Sequence, residues 1–310
     1  MQDVEMLCSM PTFSSLKSLD LQGKVNDKLL SFTSFQNLHS LEISWSENLT
    51  ILQFHGELHA LKNLDIGDCP ELTTVLGLQE LMSLEKLEMR ALAKLQFSPG
   101  DWLPSTLHSL KVVSCIDLSR LPLHHHLSAL KEMLITNRPQ LGDLEGLQNL
   151  SSIENLQISA CEKLFLPLDE ALPSTLKSFK LDGCHNLKSI PVFHDKLSEL
   201  NELVIENCER LTSVAGLHNL TSLETLEIRN CRDLQLSPNE ALPSTTLEVK
   251  IVDCPGLIDW CESHGVKHSE TEDFEIAELD EYNSVGEEEQ AEEEDEEKKW
   301  HEQGTDIENE

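Results

Sequence analysis

The chain has 310 residues, a formal net charge of -33, and only 5% aromatic residues with a single tyrosine. Such a charge argues against non-specific binding to nucleic acid or to an anionic membrane, and a core poor in aromatics suits a layered solenoid better than a compact globule. No apolar run reaches the roughly 18 residues of a membrane span, and the N-terminus, Met1-Gln-Asp-Val-Glu5, lacks the basic and apolar regions of a secretion signal.

After residues 1–15, expected to be a remnant or cap, the skeleton L-x-x-L-x-L-x-x-C-x-x-L begins at Leu16. It returns at Leu38, Leu61, Leu84, Leu107, Leu130, Ile153, Leu176, Leu200, Leu223 and Thr246. This is a leucine-rich repeat. The middle of each copy, such as Leu64-Asp-Ile66, predicts a short strand whose alternate side chains face opposite ways. Leu and Ile point inward, and no rung can bury its apolar face without a neighbour. The expected fold is therefore an α/β leucine-rich-repeat solenoid of about eleven rungs over residues 16–265. Its concave face is a curved parallel sheet, and short helices, 3-10 turns and loops form the convex face.

A longer period overlies the first. Segments 77–115, 146–184 and 216–254 each begin Gly-Leu and later pass through Leu-Pro-Ser-Thr at 103–106, 172–175 and 242–245. Three rungs thus form a duplicated block.

Seven of the nine cysteines, Cys69, Cys115, Cys161, Cys184, Cys208, Cys231 and Cys254, share one slot just after the strand; Lys24, Ser46, Leu92 and Arg138 occupy it elsewhere. A turn there leaves backbone groups in need of partners, and a small side chain with a weak donor suits them. With no C-x-x-C pair and no paired Cys/His spacing, a structural ladder is expected rather than a metal or redox site. Without a secretion signal, the thiols point to a reduced intracellular chain. His124-His125-His126 falls in a convex segment and reads as a solvated loop. The sequons at Asn48, Asn149 and Asn219 are expected to go unused. No phosphate-binding loop, zinc-protease helix, kinase signature or grouped triad is present, so no catalytic, cofactor-binding or metal-binding residue is assigned and no enzyme is expected.

The outward positions of the strands form the candidate partner-binding surface. Its central column reads Asp20, Glu42, Asp65, Glu88, Lys111, Leu134, Gln157, Lys180, Val204, Glu227 and Lys250, with Arg90, Val113 and Arg229 beside it. Glu132, Asp182, Glu206 and Val252 flank the same column. The face is expected to grade from acidic at its first four rungs to partly basic or apolar beyond the fifth. An ordinary solvated sheet face is the alternative.

The repeat stops after Cys254-Pro-Gly-Leu-Ile-Asp-Trp-Cys261, where Trp260 is placed to cover the last rung. Twenty of the 56 acidic residues follow Ser269, against Lys298 and Lys299 alone. Residues 266–310 are expected to be a disordered acidic tail.

The Cys-bearing rungs, the Gly-Leu-x-x-Leu-x-Ser-Leu-Glu spacers, the Leu-Pro-Ser-Thr returns and the closing Cys-Pro-Gly-Leu-x-x-Trp-Cys together resemble one group. This is the C-terminal leucine-rich-repeat region of plant, cereal-type, intracellular nucleotide-binding disease-resistance proteins. The resemblance covers about residues 10–265. It implies a non-enzymatic recognition scaffold in innate immunity, cytoplasmic and with a nuclear location also open. Its partners would be a pathogen effector, a guarded host protein, or a nucleotide-binding domain in cis or in trans whose switch it helps hold inactive; that switch is absent from this chain. Neither nucleic acid nor membrane is an expected partner. The acidic tail departs from the family, and it keeps a second class open, a nuclear acidic leucine-rich protein that binds histones or other basic proteins. A ubiquitin-ligase substrate adaptor would need an F-box helix, for which the 15 residues before Leu16 are too short.

Overall fold

A computed structural model describes residues 15–23, 25, 35–54, 58–98, 100–167 and 172–269. The expected N-terminal cap and acidic tail lie outside the described residues, apart from Ser15 and residues 266–269.

Eleven parallel strands form one sheet in the order β1-β2-β4-β6-β7-β8-β9-β10-β11-β12-β13. They are β1 (Ser18–Gln22), β2 (Ser40–Ser44), β4 (Asn63–Gly67), β6 (Lys86–Arg90), β7 (Ser109–Val113), β8 (Glu132–Thr136), β9 (Asn155–Ser159), β10 (Ser178–Asp182), β11 (Glu202–Glu206), β12 (Thr225–Arg229) and β13 (Glu248–Val252). Two three-residue strands, β3 (Ile51–Gln53) and β5 (Thr74–Leu76), pair in a second small sheet. The main sheet runs without a slip of register: Asp20 stands beside Glu42, Glu42 beside Asp65, and so on to Glu227 beside Lys250. Because the side-chain period of a strand is two, this register puts every inward Leu, Ile, Val, Met or Phe over its counterpart in the next rung. Leu41, Leu64, Leu87 and Leu110 are at most 2% exposed. Burying each such side chain is worth about 2 kcal/mol, and that gain exists only when the adjoining rung is present.

A left-handed residue ends each strand. Gly23, Trp45, Asp68, Ala91, Ser114, Asn137, Ala160, Gly183, Asn207, Asn230 and Asp253 all have positive φ, between 50° and 72°. Asn, Asp and Gly tolerate this conformation and hold seven of the eleven positions. The turn aims the backbone N–H at the next rung, as where Gly23 donates to the Ser44 carbonyl at 2.9 Å and Ser114 to Thr136 at 2.9 Å. The chain then leaves the sheet with its ladder still paired.

The longer period has a steric cause. Gly77, Gly146 and Gly216 open the 3-10 turns Leu78–Glu80, Leu147–Asn149 and Leu217–Asn219 with φ of 78°, 92° and 84°. A Cβ on any of them would meet a carbonyl oxygen of the preceding rung, on Phe54, Leu123 or Phe193, at 2.1–2.2 Å. Backbone packs on backbone there, and only glycine fits. At the C-terminal end the helix α1 (Pro255–His264) starts on proline and stops at Gly265 in the left-handed region. It presents Leu257, Trp260 and Cys261 to the last rung, and the Trp260 indole Nε1 donates to the Ser237 carbonyl at 3.2 Å.

Candidate partner-binding surface

All fourteen candidate surface residues stand on the outward face of the main sheet, which divides into three zones. In the first, around β2, β4 and β6, Arg90 lies over the sheet rather than away from it. Its Nη2 meets Glu42 at 3.1 Å, its Nε meets Asp65 at 3.2 Å and its Nη1 meets Asp68 at 2.9 Å. Only 13% of the Arg90 side chain remains exposed. Gly67 makes room for it, since a Cβ there would fall 2.8 Å from Arg90 Cγ and Cζ. Burial nevertheless holds the Glu42 carboxyl above its ordinary value, with help from Asp65 and Asp20, and raises that of Asp68 as well. The acidic end is thus tied together internally across three rungs.

The third zone repeats the device at β11–β13. Arg229 Nε pairs with Glu206 at 3.2 Å and with Glu227, and Lys250 pairs with Glu248 at 3.2 Å. Burial, followed by repulsion from Glu227 and Asp182, raises the Glu206 carboxyl.

Between them lies a shallow hollow of about 330 Å³, floored by β7–β10 and reaching Glu202 of β11. Leu134 and Gln157 stand at its centre, half-buried, with Lys111 on one side and Lys180 on the other. Lys111 reaches Glu88 only at 3.8 Å, whereas Lys180 is held by Glu202 at 2.8 Å. Val113, Thr136 and Ser159 line the adjoining column. Glu202 also accepts from the Ser178 hydroxyl at 2.6 Å, so the β10–β11 side of the hollow is the bonded side and Leu134 and Gln157 are its freer centre. Val204 follows it on β11.

Beneath the sheet's edge lie the cysteines of the slot that follows each strand. All seven cysteines are buried and unbridged. Six of the thiols donate to nearby carbonyls, among them Cys69 to Gly67 at 3.1 Å, Cys161 to Ser159 at 3.3 Å and Cys254 to Val252 at 3.2 Å. Ser46 does the same in rung two, donating to Gly23 at 2.7 Å. Burial pushes the Cys115 thiol up and that of Cys161 to about 12, which keeps these two thiols protonated at neutral pH. Among the described residues no group of three or more His, Cys, Asp or Glu side chains gathers to hold a metal ion, and no helix is long and apolar enough to cross a membrane.

Comparison with known proteins bears on the repeat. A family model described as the leucine-rich-repeat domain of endo-beta-N-acetylglucosaminidase EndoS matches residues 122–215. A probable disease resistance protein of Arabidopsis thaliana is 24% identical over 82% of this chain and 23% of its own length. Protein SUPPRESSOR OF npr1-1, CONSTITUTIVE 1 of the same plant is 26% identical over 78% of this chain and 18% of its own. Arabidopsis disease resistance protein RPS6 is 26% identical over 58% and 18%. The chain is a leucine-rich-repeat homologue of plant disease-resistance proteins. It spans between 12% and 23% of the length of the first relatives it matches. Among solved structures, a Listeria monocytogenes internalin aligns with a TM-score of 0.43 at 16% identity, over 86% of this chain and 85% of that one. The plant peptide hormone receptor RGFR1 in complex with RGF2 aligns with a TM-score of 0.35 at 14% identity, over 75% and 51%.

Several features have no counterpart in the sequence reading. The Arg90 clasp reaches Glu42 two rungs back, a distance no local pattern reveals. The left-handed column does leave a signal, the Asn, Asp and Gly residues that follow the strands. Glu240, nearly buried, accepts from the Gly216 and His218 backbone N–H groups at 3.1 and 3.4 Å and meets His218 Nδ1 at 2.9 Å, so a carboxylate caps the third 3-10 turn. The histidine run packs on a tryptophan: the His124 and His126 rings lie 4.8 and 5.0 Å from that of Trp102. At one sequon the Asn219 amide already donates to the Phe193 carbonyl at 2.9 Å.

Proposed function

We propose that this chain is a protein-recognition scaffold of plant innate immunity, and that it receives its partner on the middle of the concave sheet. One observation carries the reading: the hollow over β7–β10 lies between two zones whose arginines are already held by carboxylates of neighbouring strands. A partner gains most where it meets side chains that have no better contact to give up. Leu134 offers an apolar anchor and Gln157 an adaptable hydrogen bond, with Lys111 and Lys180 as the flanking charges. Arg90, Glu42 and Asp65 hold the surface in shape rather than leading the contact.

The disease-resistance homology supports a finer statement. The partner is a pathogen effector or a guarded host protein, and contact with a nucleotide-binding domain, in cis or in trans, restrains its switch. A two-hybrid screen against plant host and pathogen effector libraries supplies partners, each then titrated against the wild-type chain and the double variant Leu134→Arg/Gln157→Arg. Loss of about ten-fold or more in affinity, with unfolding unchanged, is expected. Unchanged affinity for every captured partner would move the site away from the middle of the sheet.

A further inference from the structure

Rung six departs from the ladder. Where seven rungs carry cysteine, it carries Arg138, flanked along the slot by Cys115 and Cys161. Arg138 is fully buried, at 0% exposure. Its backbone N–H donates to the Ala160 carbonyl at 3.2 Å. Its Nη2 donates to the Leu118 carbonyl at 2.5 Å, while Nε and Nη1 meet no acceptor among the described residues. The neighbouring slots supply thiols, and no carboxylate pairs with it among those residues. Burial lowers the guanidinium to about 10, which still leaves it charged at neutral pH.

An unpaired buried charge costs far more than a lost thiol contact. In a compact globule that cost would be shared by the whole fold. In a solenoid, stability is close to a sum of rung terms and nearest-neighbour terms, so the cost stays at the two interfaces that rung six makes. The flanking rungs have no such defect: Leu92, Cys115, Cys161 and Cys184 fill their slots, each buried with 0% exposure.

We infer that rung six is a built-in weak seam, at which the solenoid opens as two cooperative blocks, rungs one to five and rungs seven to eleven. The seam runs beneath Leu134, the centre of the hollow. Opening there changes the angle between the Arg90 clasp and the Arg229 zone, and a partner laid across β7–β10 closes it. The seam belongs to the unbound chain, so its test needs no partner and its failure leaves the recognition reading standing.

The experiment is hydrogen exchange on the full chain, followed by mass spectrometry, for wild type, Arg138→Cys and Arg138→Met. In wild type, peptides covering 130–141 and 153–164 are expected to exchange about ten-fold or more faster than the matching peptides of rungs three, four, nine and ten. Arg138→Cys installs the residue the slot already accepts in seven rungs, and Arg138→Met keeps the reach of the side chain without its charge. Either should slow exchange at rung six by about ten-fold or more and turn a two-step urea transition into one step. Should Arg138→Cys leave a cavity and fail to fold, Arg138→Met carries the test. Uniform protection along the wild-type solenoid, or variants that leave rung six unchanged, would overturn the seam.

Discussion

Arg90 and Arg138 lie two rungs apart in opposite circumstances. Arg90 sits on the sheet face, where neighbouring rungs bring Glu42, Asp65 and Asp68 within 3.2 Å of its guanidinium. Arg138 sits in the ladder slot at the turn, where the neighbouring rungs bring thiols and carbonyls. Stacking at about 4.8 Å per rung multiplies whatever a slot contains. On the outward face this lets one cation serve several carboxylates; in the ladder it makes one misplaced charge a local fault. The first region is a clasp and the second a seam, although the side chain is the same.

Removing the clasp is the most severe way to break that contrast. Arg90→Ala leaves Glu42, Asp65 and Asp68 close together without their shared cation, and a loss of about 2–3 kcal/mol is expected. Denaturant unfolding measures it, with hydrogen exchange showing the loss confined to rungs two to four. A change under about 0.5 kcal/mol would reduce the clasp to an ordinary surface ion pair. A gentler probe is Gly67→Ala. The added Cβ would crowd Arg90 Cγ and Cζ at 2.8 Å, and the long side chain can swing aside, so the expected cost is about 1 kcal/mol. Arg90→Ala and Gly67→Ala should be strongly non-additive, because the alanine at 67 harms only a chain that still has Arg90. Additive losses would show that Gly67 matters for another reason.

The same contrast explains what the sequence discloses and what it hides. The rung period, the inward Leu columns, the cysteine ladder and the outward column from Asp20 to Lys250 all depend on fixed spacings along the chain, and all are visible as spacings. Arg138 is visible as a departure from the ladder, since it stands where cysteine is the rule, but its missing acceptors depend on the packing around it. The clasp is hidden for a different reason. Arg90 and Glu42 are 48 residues apart, and the pair forms because Gly67 lets the side chain lie flat across an intervening strand. The expected acidic end stays acidic, but three of its carboxylates are held by Arg90, and Leu134 and Gln157 become the freer part of the face. Likewise Gly77, Gly146 and Gly216 can be read as repeat markers, whereas the carbonyl each one lies against belongs to the rung before it.

Acid supplies the mildest perturbation, and it separates carboxylates held in the clasp from the one that caps a turn. Burial raises Glu42 and Asp68 in the folded chain despite Arg90. A raised carboxyl binds its proton more tightly folded than unfolded, so the stability linked to it is present below the unfolded value and is lost as pH rises through the folded one. Glu240 runs the other way. Burial acts to raise it, but the hydrogen bonds from His218 and from the Gly216 and His218 backbone outweigh that and leave it lowered. Its contribution is present above the unfolded value and is lost as pH falls through the folded one. Acidification through the carboxylate range should therefore tighten rungs two to four while loosening the 3-10 turn at Leu217–Asn219. Carbon-detected NMR titration of the three side chains reads both directions in one experiment. In Arg90→Ala the Glu42 and Asp68 midpoints should climb further, since Arg90 opposes their shift, and Glu240 should not move. A Glu42 midpoint below the ordinary carboxylate value of 4.5 in the wild-type chain would mean that the guanidinium dominates burial, and that the clasp gains from acid nothing it does not already have at neutral pH.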